Sequence, residues 1–199
     1  NTLKMFTGIV ETTGVIEDLN YDNENLNLTI QSSISRDLRV DESVSHDGVC
    51  LTVTHNSDTS HKTTLVPETI KKSRFSDLEI GSEINIERSL KISDRLDGHI
   101  VQGHVDDVAV CKEVIDNGNN WLFTFETNNY LKYVVEKGSI TINGVSLTCF
   151  DVKDNLFSVA IIPHTYSKTN FRNILKNQKV NIEYDILGKY LERLNKNQT

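Results

Sequence analysis

The amino-acid sequence predicts a mainly β protein: two tandem copies of one small antiparallel unit, each a barrel or a sandwich, followed by a C-terminal α-helix. The first observation behind this is internal repetition. Gly8-Ile9-Val10-Glu11 returns as Gly103-His104-Val105-Asp106, 95 positions later. After one further residue the offset is 96: Gly48-Val49-Cys50-Leu51-Thr52-Val53 matches Gly144-Val145-Ser146-Leu147-Thr148-Cys149. Val66-Pro67-Glu68-Thr69 matches Ile162-Pro163-His164-Thr165, Phe75 answers Phe171, and Ile84-Asn85-Ile86-Glu87 answers Val180-Asn181-Ile182-Glu183. A repeat of this length is that of a domain with its own core and far exceeds the unit of a stacked solenoid. The second observation is period-two alternation of apolar residues, and the third is a dense set of turn signals between the alternating runs.

Taken in order, Leu26, Leu28 and Ile30 alternate with polar neighbours, as do Val44, Leu51 and Val53, then Ile84 and Ile86, then Trp121, Phe123 and Phe125. Each run reads as a half-buried strand. Tyr21-Asp22-Asn23-Glu24, Asp47-Gly48, Asn56-Ser57-Asp58, Asp116-Asn117-Gly118 and Asn143-Gly144 separate them as turns. Short helical insertions are expected over 68–74 and 167–174, opened by Pro67 and Pro163 because proline presets φ for a first helical turn, with a threonine nearby as cap. From residue 186 to 194, Ile186, Leu187, Tyr190, Leu191 and Leu194 recur at spacings of three and four, opposite Lys189, Glu192 and Arg193. An amphipathic helix this short needs a surface to cover its stripe, either the two barrels or a neighbouring subunit. The expected division is an upstream extension or expression remnant at 1–4, a first domain over 5–99, a second over 100–186, and the helix and tail over 187–199.

Composition narrows the function. The net charge is −7 with no basic cluster, which argues against nucleic acid and anionic membranes as partners. No apolar run approaches a membrane span and no leader pattern opens the chain, so the expected location is the cytoplasm. Cys50, Cys111 and Cys149 form no paired spacing, which predicts reduced thiols and no metal site. No phosphate loop, dinucleotide fingerprint or nucleophile elbow is present.

The chemistry must then come from the repeated motif. In Gly-Val-Cys/Ser-Leu-Thr the third and fifth side chains share one strand face. Cys50 with Thr52, and Ser146 with Thr148, therefore project together, two small hydrogen-bonding groups suited to the edge of a flat polar heterocycle. A turn followed by a core strand is the plain structural alternative. The segments Thr64, Leu65, Val66, Pro67, Glu68, Thr69 and Ala160, Ile161, Ile162, Pro163, His164, Thr165 are expected to line the same pockets or simply to carry the strand into its turn. Where the first copy has Ile9 the second has His104, read here as a proton-transferring group on an otherwise apolar strand, supplied on one side only. Ser43 and Asp185 are further polar candidates, and Lys137 lies in a turn.

Met5-Phe6-Thr7-Gly8-Ile9-Val10-Glu11, the two Gly-Val-Cys/Ser-Leu-Thr motifs and Gly98-His99-Ile100-Val101-Gln102-Gly103-His104-Val105-Asp106 together closely resemble the riboflavin synthase family over nearly the whole chain. The resemblance implies two six-stranded Greek-key barrels and a C-terminal helix that assembles a homotrimer. It implies dismutation of two 6,7-dimethyl-8-ribityllumazine molecules into riboflavin and a ribitylaminopyrimidinedione without a cofactor, in active sites between subunits. It leaves association with lumazine synthase open. It assigns Gly8, Ile9, Val10, Cys50, Leu51, Thr52 and the 64–69 segment to a first-barrel ligand site. Gly103, His104, Val105, Ser146, Leu147, Thr148 and the 160–165 segment go to a second, with Lys137 a contact to the partner subunit. The expected roles are proton transfer at the C7 methyl by His104 and Ser146 helped by Thr148, action of Cys50 and Ser43 on the acceptor as nucleophile or hydrogen-bond donors, and orientation by Asp185. Val49 and His164 depart from the family pattern. The competing function is a non-catalytic lumazine- or flavin-binding antenna of the same fold.

Overall fold

The computed structural model describes residues 5–196, so the expectation for residues 1–4 and the last residues of the tail lie outside the described residues. Strands β1 (Thr12–Asp22), β2 (Asn25–Ser32), β3 (Ser43–His46), β4 (Val49–Asn56), β5 (Ser60–Leu65) and β6 (Glu83–Arg88) close a barrel in the order β1-β2-β5-β4-β3-β6. Strands β7 (Asp107–Asp116), β8 (Trp121–Thr127), β9 (Ser139–Ile142), β10 (Val145–Lys153), β11 (Leu156–Ile161) and β12 (Lys179–Tyr184) close the second in the same cyclic order, with every pairing antiparallel. Alternation decides what each strand buries. Leu26, Leu28 and Ile30 of β2 and Leu51 and Val53 of β4 fill the first core; Phe123 and Phe125 of β8 and Phe157 of β11 fill the second.

Helices α1 (Pro67–Lys72) and α2 (Pro163–Lys168) occupy equivalent places, each with proline in its first turn and a short 3-10 turn behind it. The second helix therefore starts earlier than 167, because the preset φ of Pro163 fixes its N-terminus. The expected threonine cap is not made: Val66 and Ile162 hold the N-cap positions without a side-chain bond. The hydroxyls of Ser73 and Thr169 cap the 3-10 turns instead, accepting from Phe75 N and Phe171 N. Helix α3 (Ile186–Lys196) carries Leu187, Tyr190, Leu191 and Leu194 with more than half of each side chain open, so within one chain the apolar stripe is uncovered. Gly188 rests on Tyr133, and Lys189 and Glu192 pair with Asp106 and Lys132.

The barrels meet about a pseudo-twofold. The hairpin tips Asp47-Gly48 and Asn143-Gly144 both have positive φ at each residue, the primed turn that suits strand twist, and they stack backbone to backbone. Around them the bonds come in related pairs. Arg74 N donates to Asn181 Oδ1 (2.7 Å) and Asn170 N to Asn85 Oδ1 (2.8 Å); Asn85 Nδ2 donates to Asn143 O (2.8 Å) and Asn181 Nδ2 to Asp47 O (2.9 Å). At the same junction Phe6 and Val101, equivalent positions of the repeat, pair with each other antiparallel.

Candidate active site

That crossing decides the architecture of both pockets. After Phe6 the chain runs to the second barrel, where Ser146 N donates to Gly8 O at 2.8 Å; after Val101 it runs to the first, where Cys50 N donates to Gly103 O at 2.8 Å. Both glycines sit at positive φ, and a Cβ on either would lie 2.6 Å from the Cβ of Ser146 or Cys50, so only glycine permits the approach. Val10 packs on the second core and Val105 on the first. The expected grouping is thus corrected: Gly8, Ile9 and Val10 belong with Ser146, and Gly103, His104 and Val105 belong with Cys50. A second correction follows, since Ile9 and His104 lie on these connecting loops and not on strands.

On the second barrel, β10 turns Ser146 and Thr148 outward, as the motif predicts, into a groove of about 590 Å³. Leu147, Ala160, Ile162, Thr165, Ser139 and Ile9 also line it. Behind Ser146 stands His99, 8% exposed: its Nδ1 is 2.7 Å from Ser146 Oγ and its Nε2 is 3.1 Å from Thr141 Oγ1. Burial lowers the His99 pKa, partly offset by Asp185, which favours the neutral ring. A neutral ring has one donor and one acceptor nitrogen. It can take the Ser146 hydroxyl proton at Nδ1 while donating from Nε2 to Thr141, an arrangement that polarises the hydroxyl toward whatever occupies the groove.

On the first barrel, Cys50 and Thr52 of β4 face outward in the same way, directly opposite Ser45 and Ser43 of β3. Exposed His104 is delivered beside them by the crossed loop. Thr64 Oγ1 donates to Asn27 Oδ1 at 2.7 Å, and Val66 and Thr69 follow at the entry to α1. Several residues expected to bind ligand turn away: Leu51, Leu65 and Ile161 are core side chains, and exposed Glu68 pairs with Lys72. Lys137, at positive φ on the turn before β9, does not line the groove, and Pro67, Pro163 and His164 lie exposed in the helix starts.

Sequence reasoning missed His99, Thr141, Ser139 and Ser45, and the two glutamates that hold the crossed loops. Glu87 accepts from Thr7 N (2.7 Å), Thr7 Oγ1 (2.9 Å) and Gly8 N (3.1 Å). Glu183 accepts from Gln102 N (2.6 Å), Gly103 N (2.8 Å) and His104 N (2.9 Å). The signal was present in the repeated Ile-Asn-Ile-Glu and Val-Asn-Ile-Glu, whose last position reads as an ordinary strand residue until the loops are seen.

The Lumazine binding domain family matches residues 7–89 and 102–185. The chain is 41% identical to the riboflavin synthase of Bacillus amyloliquefaciens over 95% of this chain and 89% of that one, and 39% identical to the riboflavin synthase of Saccharomyces cerevisiae over 95% and 85%. Among solved structures, LumP complexed with riboflavin superposes with a TM-score of 0.84 at 20% identity over 90% of this chain and 98% of that one, which shows the shared fold. LumP complexed with 6,7-dimethyl-8-(1'-D-ribityl) lumazine gives 0.80 at 21% identity over 89% and 98%. Two lumazine-binding repeats, in two barrels of one strand order, and full-length similarity to curated relatives place the chain in the riboflavin synthase family.

Proposed function

We propose that this chain is a riboflavin synthase that dismutates two molecules of 6,7-dimethyl-8-ribityllumazine, moving a four-carbon unit from one to the other to give riboflavin and 5-amino-6-ribitylamino-2,4-pyrimidinedione. The observation that carries the reading is the pair of pockets built to one plan yet armed differently. Each offers two small polar groups on an outward strand face, Ser146 with Thr148 and Cys50 with Thr52. One is backed by His99, the other met by His104. Two like pockets suit two copies of one substrate, and unlike reactive groups suit their unlike fates.

In this reading the lumazine on the second barrel meets the Ser146 hydroxyl polarised by His99, with Thr148 beside it and Asp185 sustaining the basicity of His99. The lumazine on the first barrel meets Cys50, Ser43 and Thr52. His104 stands on the Cys50 side of its own chain, so it shares the C7 methyl proton with Ser146 only when the second barrel of a neighbouring subunit faces it. The methyl proton is acidic because the ring delocalises the carbanion, and holding the two rings face to face supplies roughly 7 to 11 kcal/mol of the barrier. The exposed stripe of α3 supports a homotrimer joined through that helix; deletion after Asp185 should give a monomer by sedimentation that binds lumazine and turns over poorly.

The direct test is incubation with 6,7-dimethyl-8-ribityllumazine alone. Consumption of about two lumazines per riboflavin, by the stoichiometry of a dismutation, is the expected outcome. Tight binding without conversion would make the chain an antenna protein.

A further inference from the structure

The two glutamates under the crossed loops occupy equivalent strand ends, Glu87 in β6 and Glu183 in β12, and both are buried. Each also lies on the outward face of its own barrel, Glu87 across from Ser45 and Glu183 across from Thr141. Each spends its carboxylate on backbone N–H groups of a loop that then leaves for the other barrel. Glu87 fixes Thr7 and Gly8, and Gly8 O takes the Ser146 N–H; Glu183 fixes Gln102, Gly103 and His104, and Gly103 O takes the Cys50 N–H.

We propose that Glu87 and Glu183 are positioning residues with crossed control: Glu87, in the first barrel, sets the Ser146 pocket of the second, and Glu183, in the second barrel, sets the Cys50 pocket of the first. A carboxylate is the side chain for this place because it is acceptor-only, and three donors converge on it. Glutamine would bring an NH2 group against those donors, loosening the loop while leaving the barrel strands paired. The two clamps are not identical. Thr7 turns its own hydroxyl to the Ile9 N–H (3.2 Å), whereas Gln102 has no hydroxyl and Glu183 holds the His104 N–H itself. The histidine of the Cys50 pocket is therefore tied directly to Glu183. Burial raises both carboxyl groups to about 7, with the loop N–H bonds opposing it. The charged groups facing them are Glu11, paired with Arg88, on the Glu87 side and Lys189, paired with Asp106, on the Glu183 side.

This rests on the two-pocket reading above, and its test is separable from turnover. Amide hydrogen exchange of the full chain is followed with and without saturating riboflavin, reading segments 48–54 and 144–150. In Glu183→Gln, ligand protection of 48–54 should fall at least tenfold while 144–150 keeps it; in Glu87→Gln the pattern should reverse. Glu183→Asp and Glu87→Asp, which keep the charge on a shorter arm, should restore part of each loss. A merely structural role would move both segments together, and that result, or dependence of each pocket on its own barrel's glutamate, overturns the proposal. Should either glutamine variant fail to fold, the aspartate variants decide: Glu183→Asp should weaken ligand protection of 48–54 alone and Glu87→Asp that of 144–150 alone, and equal weakening of both segments overturns the proposal. Failure of the wild-type chain to form riboflavin would sink the reaction but leave the crossed dependence readable.

Discussion

The first and second barrels have the same strand order, equivalent helices and matching tips, yet their interiors were resolved by different chemistry. The second is packed with aromatics: Phe123 and Phe171 meet edge to face at 5.2 Å, and Phe125 and Phe157 complete the cluster. The first has Phe75 and, where the second has Ile142 and Phe157, the buried pair His46 and His61. These join at 2.8 Å between their Nε2 atoms, with His46 Nδ1 on Val44 O and His61 Nδ1 on Ser35 Oγ. Such a chain is satisfied with both rings neutral and fails once both are protonated, when two Nε2–H donors face each other. At the tips the first copy carries the ion pair Asp47–Arg74 where the second has Asn143 and Asn170. At these two places the copies keep one backbone and differ in polar groups that find partners within their own barrel or at the junction.

The largest effect should come from breaking the tip asymmetry. Asp47→Asn leaves Arg74 facing its buried place without a counter-charge and should cost on the order of 3 kcal/mol in urea unfolding. Adding Arg74→Asn, which gives the first tip the neutral residues of the second, should recover most of it; equal instability of single and double variants would refute a coupled pair.

The histidine pair predicts acid sensitivity confined to the first barrel. Burial, with their mutual repulsion, lowers His46 to about 3, and burial lowers His61 to about 4. Both folded values lie below the ordinary 6.5, so the unfolded chain takes protons first. The contribution is complete above pH 6.5 and is lost as pH falls toward these values, about 3 kcal/mol for each ring by pH 4. The double variant His46→Ile, His61→Phe, copying the second barrel, should flatten the stability profile between pH 7 and 4. An unchanged slope would clear the histidines of that role.

At the pockets, His104→Gln should lower kcat about 100-fold while lumazine binding stays within a few-fold, the signature of a lost proton-transfer group. Unchanged turnover removes His104 from the mechanism. The smallest change is Cys50→Ser, which makes the first motif read like the second: a hydrogen-bonding role predicts a loss of about tenfold or less, whereas a drop beyond about 1000-fold would show the thiol to be a nucleophile.

Much of this was legible. The offsets between copies located both barrels, alternation at Leu26, Leu28 and Ile30 named core faces, and Asp47-Gly48 and Asn143-Gly144 marked the primed turns. That Ser146 and Thr148 share one strand face followed from strand geometry alone; that the face is outward was shown by the fold. His99 was not recognised because nothing in Gly98-His99 shows that Ser146, 47 residues away, will lie 2.7 Å from it. Glu87 and Glu183 were hidden for a related reason: a glutamate at a strand end is usually solvated, and only the loop folded over it makes it a clamp.

By itself the sequence determined the duplication, the strand and turn succession, the amphipathic last helix and the chemical identity of the paired motifs, because these depend on interactions a few residues apart. Which copy each glycine loop serves was decided only in three dimensions. Phe6 and Val101 are equivalent in the repeat, and a residue alignment is silent on whether equivalent segments stay on their own barrel or exchange. Their antiparallel pairing at the pseudo-twofold sends each loop across, and glycine's freedom at positive φ lets the carbonyls of Gly8 and Gly103 dock on Ser146 and Cys50.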